Sequence, residues 1–172
     1  MLVNRVEELR YLVLAAQREG SRAFADVLRP LGVTPAQAEV LTVVRTATGP
    51  LAVREIGELL VCETGSPSRL VTNLITAGLL QGSRDSADGR ITRLSLTTAG
   101  RQIAAHVSAA EQKFQRQLAA NLAEDQALDT VVDFLRHFVA NSPTGRAVAR
   151  RRALEGPAPD TDTPEVEPAR LP

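Results

Sequence analysis

Two short extended segments joined by a polar loop constrain the fold of this chain more than any other feature of its sequence. The segments are residues 79–84 and 91–96, and the loop between them contains Asp88-Gly89. An Asp-Gly pair in this position favours a tight β-hairpin, because glycine tolerates the positive φ angle that such a turn needs. Side chains alternate along a strand, so the second segment has one leucine face and one polar face. The arginines that the hairpin is expected to expose are Arg84, Arg90 and Arg93.

The residues before the hairpin predict a helix-turn-helix. Residues 51–60 place apolar side chains on one face of a short helix, and a turn is expected at residues 61–65. Ser66 and Pro67 are typical of a helix start, and Gly78 is typical of a helix end. The outer face of this second helix carries short polar side chains, which suit the major groove of DNA. Its expected DNA contacts are Ser66, Ser68, Arg69, Thr72 and Asn73.

Three segments in a fixed order carry a family resemblance: LAVREIGELL, SPSRLVTNLITAGLL and DSADGRITRLSLTTAG. Over residues 33–106 the chain resembles the multiple-antibiotic-resistance-regulator (MarR) family of winged helix-turn-helix repressors. The most specific part is Asp88-Gly89-Arg90 together with residues 94–100. The resemblance implies that Arg90 enters the minor groove and that Asp88 holds it in position. The wing residues expected at the DNA are therefore Arg84, Asp88, Arg90 and Arg93.

Long apolar stripes on both sides of the DNA-binding segment predict a homodimer. A helix over residues 2–28 and helices over residues 98–120 and 128–139 carry apolar side chains at helical spacing. A winged-helix core cannot cover all of this surface, so a two-fold dimer on a palindromic operator is expected, as in the family. The predicted organisation is a dimerisation helix (1–32), a winged helix-turn-helix (33–100), dimerisation helices (101–154) and a disordered acidic, proline-rich tail (155–172). The predicted fold class is mainly α with a small antiparallel β-hairpin wing.

The composition of the chain says more about where the protein is expected to lie in the cell than about its function. The 20 Lys and Arg residues balance 20 Asp and Glu residues, so net charge alone does not indicate nucleic-acid binding. The charge is uneven, since residues 63–101 are modestly basic and the tail is acidic. The single cysteine excludes an intrachain disulfide, and no apolar run approaches the ~20 residues of a membrane span. Without a recognisable signal peptide, a soluble cytoplasmic protein is expected.

Catalytic and metal-binding patterns are missing from the sequence. No Ser-His-Asp set, paired carboxylates or phosphate loop is recognisable, and the two histidines are isolated. We therefore expect no enzymatic activity, no cofactor and no metal. Cys62 has two interpretations, an oxidant sensor or a small apolar residue at a helix end, and the second is favoured. The alternative to a DNA-binding regulator is a winged-helix scaffold that binds a protein partner.

The resemblance also implies a small aromatic or apolar effector, such as an aromatic carboxylate. In the family such ligands lie where the dimerisation helices meet the winged-helix domain. A ligand is plausible here because Tyr11 lies off the apolar stripe and Arg18 is placed to meet a carboxylate. The alternative is that Arg18 is a surface charge and the junction is packed solid. The expected lining residues are Tyr11, Leu14, Arg18, Val40, Val44 and His106.

Overall fold

The computed structural model describes residues 2–61, 66–120 and 125–155 of the 172-residue chain. The helices are α1 (Leu2–Leu28), α2 (Pro35–Thr46), α3 (Val53–Gly57), α4 (Pro67–Thr76), α5 (Thr98–Ala119), α6 (Asp125–Val139) and α7 (Pro143–Glu155), with a 3-10 turn (Arg29–Leu31) after α1. The strands are β1 (Leu51–Ala52), β2 (Leu80–Arg84) and β3 (Thr92–Leu96). The predicted fold class, mainly helical with a small antiparallel wing, is confirmed. Cys62, residues 121–124 of the predicted joint and the tail from residue 156 lie outside the described residues.

Helix α2 forms the centre of the core. Its start is fixed by hydrogen bonds in its first turn. The Thr34 hydroxyl accepts the Gln37 N–H at 3.3 Å, and the Gln37 side chain accepts the Thr34 N–H at 2.9 Å. This reciprocal capping box, with Pro35 in the first position, confirms the predicted helix start. Every residue from 38 to 44 is buried, because α2 is covered on all sides.

The sheet contains a strand that the sequence did not reveal. Its order is β1-β3-β2, and Leu51 and Ala52 of β1 pair with Leu94 and Arg93 of β3. The prediction of one helix over residues 51–60 is therefore only partly right, since the helix covers Val53–Gly57 alone. Two residues are too few to show the alternation of a strand, so only pairing with a distant partner defines β1.

The loop of the hairpin differs from the predicted Asp-Gly turn. Among the described residues, positive φ angles occur at Gly32 and Gly78, and Gly89 does not adopt one. The loop is instead closed by the Asp85 side chain, which accepts the N–H groups of Ala87 and Asp88 at 2.8 and 3.0 Å. Aspartate favours turns of this kind because its carboxylate bonds to its own backbone two or three residues on.

The base of the wing is fixed to α5 by close packing and a cap. Thr97 accepts the Gly100 N–H at 2.9 Å and donates its hydroxyl hydrogen to the Gly78 carbonyl at 2.7 Å. A Cβ atom at Gly100 would lie 1.9 Å from the Leu79 carbonyl oxygen, so no larger residue fits there. The wing and α5 therefore form one continuous unit over the core.

The core lies between α2, α4, α5 and the sheet, and the outer helices contribute unevenly to it. Its largest fully buried side chains include Leu28, Leu41, Ile56, Leu74, Leu80 and Leu94. The C-terminal end of α1 joins this core, whereas its N-terminal half and most of α6 leave apolar side chains exposed. Helix α7 packs against α2 and α6. No helix in the described part of the chain combines the length and apolar character needed to cross a bilayer.

Candidate nucleic-acid interface

Helix α4 presents the polar face that the sequence predicts. Val71 and Leu74 are buried against the core, which leaves the opposite face in solvent. The Thr72 hydroxyl donates to the Ser68 carbonyl at 2.9 Å, so it is engaged with its own helix. The predicted contact residues of this helix, all exposed, are Ser66, Ser68, Arg69, Thr72 and Asn73.

The first turn of α4 lies close to a small residue in α3. A Cβ atom at Gly57 would approach the Pro67 ring to 3.1 Å, so a side chain there would press against the first turn of α4. Pro67 occupies the first helical position, where its missing N–H costs no hydrogen bond. The close approach of α3 to α4 therefore depends on glycine at position 57.

The wing carries two exposed arginines, Arg84 and Arg90. The Asp88 carboxylate accepts the backbone N–H of Arg90 at 3.0 Å. No ion pair joins the two side chains in the described part of the chain, so Asp88 positions Arg90 through its backbone and not through its guanidinium. The Arg90 guanidinium has no ion pair within the described residues.

Arg93 departs from the prediction, because it is half-buried and ion-paired. Its Nε atom donates to Asp85 Oδ2 at 2.5 Å, and its Nη1 atom donates to Glu55 Oε2 at 2.6 Å. Glu55 also accepts the Ala52 N–H at 2.6 Å. Arg93 therefore connects the wing loop to α3 and β1. The pairing could not be read from sequence, since Glu55 lies 38 residues away from Arg93.

The ion pairs of Arg93 shift the protonation of its partners. The Arg93 guanidinium, followed by the N–H groups of Asp88 and Ala87, lowers the pKa of Asp85 to about 2. The N–H of Ala52 lowers the pKa of Glu55, and Arg93 lowers it further. The two carboxylates in turn raise the pKa of Arg93. The network is therefore fully charged at neutral pH.

A cavity of about 710 Å³ lies between α1, α2, α5 and α7. The rings of Phe24 and Phe114 contact each other in its wall, with centroids 5.4 Å apart. Thr42 donates to Glu111 at 3.2 Å, and burial raises the pKa of the Glu111 carboxyl. The polar lining residues of α2, α5 and α7 include Glu39, Thr42, Arg45, Ser108, Glu111 and Arg151.

The six residues expected to bind an effector do not line this cavity. Val40 and Val44 are buried among the core residues. The remaining four, which are exposed, are Tyr11, Leu14, Arg18 and His106. The sequence missed the cavity because its wall combines polar residues of α2 and α5 with Arg151, which follows them by many residues.

The predicted winged helix-turn-helix matches a known family model. Residues 33–100 match the family model described as a winged helix DNA-binding domain, with the same boundaries as the predicted domain. No match is found among curated proteins.

Solved structures extend the likeness over most of the chain. A mutant of MarR from E. coli complexed with operator DNA superposes with a TM-score of 0.69 at 24% identity, covering 81% of this chain and 99% of that one. The transcriptional repressor CouR bound to a 23-mer DNA duplex gives 0.68 at 22% identity, covering 81% and 97%. The organohalide-sensing regulator RdhR in its 2,4-dichlorophenol-bound form gives 0.70 at 15% identity, covering 80% and 82%. The chain thus has the fold of the MarR-family transcriptional regulators, as the sequence resemblance predicts, and residues 33–100 match the winged helix DNA-binding domain.

Proposed function

We propose that this chain is a cytoplasmic, homodimeric repressor that binds a palindromic operator and responds to a small ligand. The observation that carries the proposal is the combination of an exposed polar helix α4 with two exposed wing arginines on a fixed scaffold. Residues 33–100 read DNA, residues 1–32 and 101–154 supply dimerisation, and residues 155–172 form a tail outside both. The likeness to DNA-bound MarR and CouR supports this reading.

In the proposed complex, α4 enters the major groove and the wing reaches the adjacent minor groove. Arg69 can form a bidentate pair with guanine, while Asn73 suits adenine. Arg84 and Arg90 supply positive charge along the wing, where phosphate contact or minor-groove insertion adds affinity. The alternative, a protein-binding scaffold, is less well supported, because protein interfaces are enriched in aromatic residues and the outer face of α4 has none.

The proposed dimer uses the apolar surface of α1 and α6. Val131 and Phe138 of α6 are 53% and 76% exposed in the single chain, and Val6 of α1 is 62% exposed. Phe134 and Phe138 stack with ring centroids 6.4 Å apart, so α6 presents an aromatic pair as well as aliphatic side chains. Exposed apolar surface of this kind is typical of an interface. A two-fold axis would bury it and place two copies of α4 on one operator.

The proposed ligand site is the cavity between α1, α2, α5 and α7. Its aromatic wall at Phe24 and Phe114 suits a small ring, and its hydroxyl and carboxyl groups suit a polar substituent. The 2,4-dichlorophenol-bound form of RdhR, a protein of the same fold, supports this ligand class. A ligand changes operator affinity only if it binds one arrangement of the two DNA-binding domains more tightly.

Arg90→Ala should weaken binding to every duplex, because it removes a sequence-independent charge contact. The expected change is a decrease of about one in the slope of log affinity against log salt, with no change in oligomeric state. Fluorescence anisotropy at several salt concentrations measures it. The matched control is Arg22→Ala on α1, which removes another exposed arginine, away from the wing. Equal slopes for the two variants would contradict a DNA contact at Arg90.

Asp85→Asn should destabilise the wing in a pH-dependent manner. Because pairing lowers the pKa of Asp85 to about 2, its stabilising contribution is complete above the usual carboxyl pKa of about 4 and is lost as the pH falls towards 2. The free energy of unfolding of the wild type should therefore exceed that of the variant at pH 7, and the difference should shrink at pH 3. Urea unfolding at both pH values checks this, with Asp129→Asn on the exposed surface of α6 as control. A difference that is the same at both pH values would exclude the ion pair as its cause.

Phe138→Glu should shift the protein from dimer to monomer, because a charge would be buried in the apolar interface. Loss of an aromatic anchor typically costs about 2 kcal/mol or more, which is roughly a 30-fold increase in the dimer dissociation constant. Sedimentation equilibrium measures it. Asp129→Ala, on the same helix, should leave the dimer intact. If Phe138→Glu sediments as a dimer with unchanged affinity, α6 does not form the interface.

Phe114→Ala should weaken the response to ligand without changing DNA binding in its absence. We expect 2,4-dichlorophenol or salicylate to release the wild type from DNA. The variant should need a roughly tenfold higher ligand concentration, because losing an aromatic contact costs about 1.5 kcal/mol of binding free energy. Arg18→Ala tests the site expected from the sequence and should respond as the wild type does. Loss of response in Arg18→Ala with retention in Phe114→Ala would move the ligand out of the cavity.

A further inference from the structure

Helix α7 returns from α6 to the DNA-binding domain and makes specific contacts there. Ala147 is buried, and a Cβ atom at Gly145 would lie 1.9 Å from the Val139 carbonyl oxygen, so the turn between α6 and α7 is tightly packed. Arg150 pairs with Glu58 at the end of α3, at 3.0 Å. These contacts lie on the winged helix-turn-helix, in addition to the dimerisation that the sequence predicts for residues 101–154.

One carboxylate links α7 to Val61, which lies between α3 and α4. Glu39 of α2 is buried, with 7% of its side chain exposed, and its Oε1 atom accepts Arg151 Nη1 at 2.7 Å. The same oxygen accepts the backbone N–H of Val61 at 2.8 Å. Val61 lies between the end of α3 at Gly57 and the start of α4 at Pro67. A guanidinium from the C-terminal helix is therefore two hydrogen bonds away from the backbone between these two helices.

The burial of Glu39 makes this link energetically important. A buried carboxylate is costly unless a partner of opposite charge and hydrogen-bond donors compensate for the lost water. Arg151 supplies the charge, and Val61 supplies a backbone donor that would itself need an acceptor. Removing Arg151 leaves the carboxylate without this guanidinium, and the backbone that shares the same carboxylate oxygen is that of Val61.

We propose that Glu39 and Arg151 are positioning residues for DNA reading, which fix the backbone of Val61, between α3 and α4, from the C-terminal helix without touching DNA. The inference rests on the proposed function, since it assumes that α4 reads the operator. Both side chains also line the cavity between α1, α2, α5 and α7, so the pair lies between that cavity and Val61.

The test uses full-length protein and two DNA probes. One probe is the duplex that the wild type selects from a random-sequence library, and the other is a mixed-sequence duplex of the same length. Arg151→Gln should bind the selected duplex roughly tenfold more weakly, within the usual range of coupling between sites. Its affinity for the mixed-sequence duplex and its salt slope should be unchanged, because no phosphate contact is lost. The matched control is Arg152→Gln, which removes the same charge from the exposed neighbouring position.

Two further variants separate positioning from a general loss of stability. Arg151→Lys keeps the charge and should recover part of the affinity for the selected duplex. In a double-mutant cycle, Glu39→Gln and Arg151→Gln together should lose no more than the worse single variant, because both remove one contact. Circular dichroism and sedimentation identify the temperature at which every variant is a folded dimer. Additive losses in the cycle would overturn the proposal.

The outcomes for the inference and for the proposed function are distinct. If the wild type selects no duplex, the proposed function fails. If the wild type selects a duplex and Arg151→Gln binds it as Arg152→Gln does, the function stands and the positioning role is wrong. If Arg151→Gln loses affinity equally for both probes with a smaller salt slope, Arg151 contacts phosphate directly, which also overturns positioning.

Discussion

The Arg93 guanidinium holds three parts of the DNA-binding domain together. It donates to Asp85 at the base of the wing loop and to Glu55 in α3, and Glu55 in turn accepts the N–H of Ala52 at the end of β1. The wing loop has no glycine in the left-handed region to close it, so the Asp85 carboxylate provides both the turn and the attachment. The surface arginines of the wing can then have a defined position although their own side chains are exposed.

Local signals allowed much of this fold to be predicted. Three of these signals involve residues within one helical turn of each other, so they can be recognised in a short stretch of sequence. They are the capping box at Thr34 and Gln37, the Thr97 cap and the left-handed glycine at position 78. The polar outer face of α4 follows from helical periodicity alone. These features were enough to predict the order of the helices from α2 to α5 and the outward face of α4.

The remaining features depend on pairs of residues that are distant in sequence. Strand β1 exists because Leu51 pairs with Leu94, and the role of Arg93 depends on Glu55. The cavity could not be predicted either, because Val40 and Val44 lie on a helix that is buried all round, whereas the cavity wall draws on other positions of the same helix. Periodicity gives the inward face of a helix but not which neighbouring element covers it. For this reason the residues expected to bind an effector do not line the cavity.

The ion pair between Glu39 and Arg151 spans 112 positions of the chain. During synthesis the ribosome releases residues 33–100 well before residue 151, so the DNA-binding domain emerges with its buried Glu39 still lacking the C-terminal guanidinium. A chain that terminates early, from a damaged message or a premature stop codon, would keep the helix-turn-helix and its wing but not the contact that completes them. The contact between α7 and the buried carboxylate of α2 can therefore form only after residue 151 has been synthesised.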